Sequence, residues 1–207
     1  MDTIPAAGGA RLTGPRTVYN TDHEMFRNQV RRFFEKNVVP YHRQWERDGI
    51  VSREVWRQAG EAGILCPMLS EEFGGAGADF GYSAIVIEEI ARTNCTGPGF
   101  PLHSDIVVPY IEDLATPARK REWLPKMAAG EIIGAIAMTE PGMGSDLKAM
   151  RTTAKRDGNH YVINGSKTFI SNGQLADLVI VCAKTDPTAG RKGISLICVP
   201  AGTPGFT

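Results

Sequence analysis

The chain has 207 residues, 42% of them hydrophobic and 22% charged, so it can bury a core and suits one or two domains. Lysines plus arginines number 23, and aspartates plus glutamates also number 23, so no net field draws the chain to nucleic acid or an anionic membrane. The longest apolar run, 132–138, is far too short to span a bilayer.

The first part of the chain reads as helical. Thr21-Asp22-His23-Glu24 has the spacing of a capping box, with Thr21 as N-cap and Glu24 at the third helical position. Phe26, Val30, Phe33, Phe34 and Val38 follow as an apolar stripe that Pro40 interrupts. Ser52 caps a short helix with Val55, Trp56 and Ala59 inward. Residues 79–92 read as another helix, with Ile85, Ile87 and Ile90 prominent, and Ile106, Val107, Tyr110, Ile111 and Leu114 form a further stripe. Thr116-Pro117 is a cap followed by proline at the first helical position, and Gly130 is a C-terminal stop.

Near Glu131 the period changes from 3.6 to 2. Arg151, Thr153 and Lys155 alternate with Thr152, Ala154 and Arg156, and Asp157-Gly158 makes a turn. Tyr161-Val162-Ile163 runs into Asn164-Gly165, a two-residue hairpin signal. Strands are expected at 167–170, 178–183 and 194–199, with 185–190 as the loop between the last two. The order predicts an α+β chain: a flexible N-terminus over 1–20, a helical unit over 21–131 and an antiparallel β unit over 132–207.

Two runs carry chemistry. Ala137-Met138-Thr139-Glu140-Pro141-Gly142-Met143-Gly144-Ser145-Asp146 sets two hydroxyls, two carboxylates and two glycines behind an apolar strand. Its glycines let backbone approach a flat or anionic ligand closely. Taken alone it is also a plain Gly-Pro turn with Asp146 as a local cap. Lys167-Thr168-Phe169-Ile170-Ser171-Asn172-Gly173 offers an aromatic face and a hydroxyl, or simply a core phenylalanine before a turn serine. Cys66, Cys95, Cys182 and Cys198 show no Cys-x-x-Cys spacing and His23, His42, His103 and His160 are scattered, so neither a metal site nor a disulfide framework is expected. Gly74-Gly75-Ala76-Gly77 does not fit a dinucleotide-binding fingerprint.

The two runs, taken together and in this order, resemble the flavin-contacting segments of the acyl-CoA dehydrogenase family. Upstream, Glu71-Glu72-Phe73-Gly74-Gly75 and Leu124-Pro125-Lys126 with Gly130 are similar to family segments, and the likeness extends over about 21–206. His103-Ser104-Asp105-Ile106-Val107 and Ile136-Ala137-Met138-Thr139-Glu140-Pro141 are most similar to long-chain members. The resemblance implies an N-terminal helical domain and a middle antiparallel β-barrel domain. It implies FAD contacts from Ile136, Met138, Thr139, Gly144, Ser145, Phe169, Ile170 and Ser171. Phe169 stands where many relatives carry tryptophan, and Ser171 where threonine is frequent. Ser145 is expected near the acyl-CoA as well, and Phe100, Leu102 and Val107 are candidates for the acyl pocket or for ordinary helical packing.

The implied reaction is α,β-dehydrogenation of an acyl-CoA thioester to the trans-2-enoyl-CoA, as in fatty acid β-oxidation, with an electron-transfer flavoprotein as acceptor. The family's base is a glutamate on a later helical domain, so neither Glu140 nor Asp146 is assigned that role, and no catalytic residue is expected in this chain. Glu88 and Glu89 are expected on a solvated face or an interdomain contact. The chain resembles the first half of such an enzyme, without its C-terminal helical bundle. Alone it is expected to bind FAD weakly and turn over no acyl-CoA, while the whole enzyme is expected to form a homo-oligomer, a tetramer or dimer. Related readings are a nitroalkane oxidase, a flavin monooxygenase or a non-catalytic interaction module. No basic or transit-like stretch follows Met1-Asp2, so the expected location is the cytoplasm.

Overall fold

The computed structural model describes residues 17–207; positions 1–16 of the expected flexible N-terminus lie outside the described residues. Helix α1 (Thr21–Phe33) is followed by α2 (Val39–Asp48), α3 (Arg53–Glu61), α4 (Phe80–Thr93), α5 (Val108–Leu114) and α6 (Pro117–Ala128). The strands β1 (Gly134–Ala137), β2 (Thr153–Asp157), β3 (His160–Asn164), β4 (Leu178–Lys184) and β5 (Ile194–Pro200) come after them. Ser52, Asp79 and Thr116 cap their helices through side-chain oxygens. The first capping box lies one residue earlier than the spacing suggests: Asn20 Oδ1 accepts from His23 N, and His23 Nδ1 accepts from Asn20 N. An imidazole nitrogen takes the place of the glutamate oxygen expected at Glu24.

Pro40 does not end its helix. A wider π turn, Phe34–Val38, precedes it, and α2 then starts with Pro40 in its first turn. The same device recurs at Leu102–Val107, directly before α5 and Pro109. Widening the turn relieves the clash between a proline ring and the carbonyl one turn back.

The apolar stripes of the helices meet in one core that includes Phe34, Val55, Trp56, Ile85, Phe100, Val107, Ile111, Leu124 and Met127. Trp56 stands edge-on to Phe100 at 4.8 Å between ring centroids. Burial of each such ring is worth about 1.5–3 kcal/mol. Ile87, Ile106, Tyr110 and Leu114, placed in stripes by periodicity, are instead exposed. Glu89 is buried within the helical unit rather than on a solvated face, where Arg31 of α1 and Arg92 of α4 both bind its carboxylate. Burial raises its pKa, and these guanidinium groups outweigh that and hold it down. Glu88 also pairs across to α1, at Arg27.

The sheet is mixed and, among the described residues, open, in place of an antiparallel barrel. β4 is central. β1 runs parallel to it (Gly134↔Leu178 to Ala137↔Val181), and β2 touches it in parallel at Thr153↔Lys184. β5 pairs antiparallel along its whole length, and β2–β3 is an antiparallel hairpin. The excursion from β1 to β4 returns the chain in its original direction, as a parallel pair requires. The β2–β3 turn forms at Gly158-Asn159, with Gly158 at φ +57°, whereas Asn164-Gly165 closes no hairpin. Gly165 serves a close approach instead, since a Cβ there would lie 2.2 Å from Thr152 Oγ1.

His103 and Arg53 each join the helices to the sheet. His103 is fully buried, accepts from Gly134 N through Nδ1 at 3.0 Å and donates from Nε2 to Met127 O at 3.1 Å. Those bonds define its neutral tautomer. Burial, opposed by the Met127 carbonyl, depresses its pKa to about 4. Arg53 of α3 reaches Leu175 O, Glu131 O and Asp177, and Asp177 also accepts from Ile133 N beside β1.

Candidate functional site

β1 ends at Ala137, and the next residues turn out of the sheet. Ile136 is buried in β1, Met138 and Thr139 are half-buried, and Gly144 and Ser145 lie exposed on the following loop. The loop closes on itself through paired backbone bonds between Glu140 and Met143 at 3.0 and 3.1 Å. Gly142 and Gly144 have nothing within 4 Å of where a Cβ would stand. The glycines therefore leave open room beside the backbone.

The second run, expected as a strand over 167–170, is irregular. Phe169 has φ +55° and Asn172 φ +64°, and either value breaks an extended run. For an aromatic residue the left-handed region costs about 1–2 kcal/mol. The Phe169 ring is nevertheless 92% exposed, so no local packing favours it. Ser171 is exposed and Ile170 half-buried, facing a cleft of about 510 Å³ that His42, Trp45 and Gly97 also line.

The two runs meet. Thr168 N donates to Thr139 O at 3.0 Å, between positions 29 apart in the chain. Lys167 Nζ donates to Met138 O at 3.0 Å and to Glu140 Oε1 at 3.0 Å. Glu140 is buried and accepts further from Arg151 N at 2.7 Å and Thr152 N at 2.9 Å. Burial raises its pKa; the Thr152 hydroxyl, the two N–H groups and the Lys167 ammonium together bring it down to about 2. The Thr152 hydroxyl makes no directed hydrogen bond, so it acts as a nearby dipole. At the other end, Asn172 Nδ2 donates to Gly99 O at 3.2 Å and Gly134 O at 3.3 Å.

The hydroxyls of Thr139, Ser145 and Ser171 have no hydrogen-bond partner among the described residues. The Thr168–Thr139 bond sets the hydroxyl of Thr139 near the segment that carries the exposed Phe169 ring and the Ser171 hydroxyl, while Gly144 and Ser145 lie on the exposed loop that follows β1. Phe100 and Val107 are not among these groups: both are core residues, with Phe100 against Trp56 and Val107 against Gly134. Leu102 is half-buried in the π turn that precedes α5. Asp146 caps the next turn through Lys148 N. Lys167, Asn172, Glu140 and His103 organise these segments, yet their types and spacing carried no signal of it. One cue was available: a glutamate where a fully apolar strand ends must find buried partners.

Known proteins of similar sequence identify the family. Residues 20–131 match the family model "Acyl-CoA dehydrogenase, N-terminal domain", and residues 135–207 match "Acyl-CoA dehydrogenase, middle domain". The chain belongs to the acyl-CoA dehydrogenase family. It is 50% identical over 204 residues to the long-chain specific acyl-CoA dehydrogenase of Rattus norvegicus mitochondria, covering 98% of this chain and 47% of the relative. An acyl-CoA dehydrogenase of Geobacillus kaustophilus superposes with TM-score 0.89 at 47% identity, over 93% of this chain and 51% of that one. A glutaryl-CoA dehydrogenase of Mycobacterium smegmatis, solved in complex with FADH2, superposes with TM-score 0.83 at 32% identity, over 91% and 48%. The chain spans about half the length of the curated relatives it matches. No helix among the described residues is long and apolar enough to cross a membrane.

Proposed function

We propose that the protein is an FAD-dependent dehydrogenase of acyl-CoA thioesters, and that this chain supplies one wall of its flavin site. The observation that carries the reading is the Thr168–Thr139 hydrogen bond, which joins the two motif-bearing runs into a single surface. Bound FAD would supply the hydride acceptor. Met138, Thr139 and Ser171 offer backbone and hydroxyl groups to the ring edge, Phe169 offers its face, and Ile136 and Ile170 back them. Gly144 and Ser145 leave room and a hydroxyl for the cofactor and the thioester arm. Leu102 is the acyl-pocket candidate with surface still free, while Phe100 and Val107 act through packing.

Glu140 holds its proton only below about pH 2 and spends its lone pairs on Lys167, Arg151 and Thr152. Such a carboxylate makes a poor proton acceptor at neutral pH. The α-proton is taken by a group outside this chain's assigned residues. An electron-transfer flavoprotein as acceptor and a homo-oligomeric whole protein belong to the same reading. The test is anaerobic mixing of the purified full-length protein, carrying FAD, with saturated acyl-CoA thioesters of increasing length. Loss of the flavin's visible absorbance with formation of the enoyl product is expected. Retained flavin that no acyl-CoA bleaches would refute the assignment.

A further inference from the structure

Segment 167–172 is an arch pinned at both feet and bare at its middle. At one foot, Lys167 binds the Met138 carbonyl and the Glu140 carboxylate. At the other, the Asn172 amide spans Gly99 O, on the loop before α5's π turn, and Gly134 O, the first residue of β1. Between them Phe169 stands left-handed with its ring in water. Neither the backbone conformation nor the exposure of that ring is favoured locally. The feet are therefore what hold it. Asn172 is itself left-handed, a conformation asparagine tolerates, and it touches the helical unit and the sheet with one amide.

We propose that Lys167 and Asn172 are positioning residues: through the arch they brace, they set the angle at which the Phe169 ring and the Ser171 hydroxyl meet bound flavin. The proposal rests on the reading that this wall meets FAD. Lys167 registers the arch against the end of β1, and Asn172 registers it against the helices. A shift of the helical unit therefore reaches the arch through Asn172, and a shift of the end of β1 reaches it through Lys167 and the Thr168–Thr139 backbone bond.

Three variants of the full-length protein separate positioning from mere stability. Asn172→Gly keeps the left-handed backbone and removes only the amide. Asn172→Asp keeps the size and loses the donor. Lys167→Met removes the ammonium, and Glu140→Gln combined with Lys167→Met also removes the stranded charge should the single variant not fold. Each is expected to bind FAD roughly tenfold more weakly, the loss of about one good hydrogen bond. The visible circular dichroism of the bound flavin should change, and Lys167→Arg should restore part of both. A purely structural role would move the urea midpoint but leave the dichroism of the bound fraction unchanged. Without FAD, hydrogen exchange at amides 168–171 should speed up in each variant. Wild-type affinity and dichroism in the variants overturn the proposal. Wild-type protein that takes up no FAD overturns the cofactor reading instead, and exchange at 168–171 as slow in the variants as in the wild type then overturns the bracing too.

Discussion

Phe100 and Phe169 are the same side chain placed in two regions built on opposite rules. Phe100 is 1% exposed, edge-on to Trp56 in a core assembled from apolar stripes. Phe169 is 92% exposed on an arch that directional polar bonds hold from its ends. The helical core is non-directional, so it tolerates exchange of shape for shape and pays heavily only for lost volume. The wall is directional, so one lost donor re-aims everything between the feet. Stability therefore resides mainly in the first region and, on the function proposed above, cofactor geometry in the second.

That division can be broken by mutation. Phe100→Ala should cost about 3–5 kcal/mol in urea denaturation, since it opens a cavity in the core. FAD affinity measured on the fraction still folded should be little changed. Lys167→Met leaves the Glu140 carboxylate buried without its cation and should cost on the order of 3 kcal/mol, with most of it recovered when Glu140→Gln is added. A Lys167→Met variant as stable as wild type would mean that the Lys167 ammonium does not offset the burial of the Glu140 carboxylate.

Acid probes the joint between the regions. His103 is neutral when folded, with its pKa depressed to about 4 from an unfolded value of 6.5. The unfolded chain therefore binds the extra proton first, and stability present above pH 6.5 is lost as the pH falls towards 4, on the order of 3 kcal/mol in all. Glu140, depressed to about 2 from 4.5, adds a second loss only below pH 4.5. Urea midpoints at a series of pH values would show the two windows, and His103→Gln should flatten the upper one alone. The smallest effect is at Phe169. Phe169→Gly should raise stability by roughly 1 kcal/mol by relieving a left-handed aromatic residue, while weakening FAD binding. A change that stabilises the chain and harms its cofactor site is the sharpest mark of a residue kept for function.

The caps at Ser52 and Thr116 could be read from the chain because their partners lie within a few residues. The continuous apolar run of β4 could be read for a similar reason. The sheet's parallel pairing could not, because β1 and β4 pair across a long excursion that local patterning does not encode. The arch escaped for the same reason: Thr168, Phe169 and Ile170 have strand-like composition, and only the distant partners Met138, Glu140, Gly99 and Gly134 turn the segment out of the sheet. Residue type alone left Thr139 and Ser171 open between a ligand contact and a plain turn, and the family resemblance singled them out. Phe100, left open between an acyl pocket and ordinary packing because an aromatic side chain looks the same in a core and on a wall, lies in the core.

Photolabelling with an azido-substituted FAD, followed by peptide mapping of the full-length protein, tests most directly whether the two runs form one cofactor wall. Label is expected on both the 138–146 and the 167–173 peptides, competed away by FAD. Label on only one of them, or on the cleft lined by His42 and Trp45 with neither run marked, would contradict it.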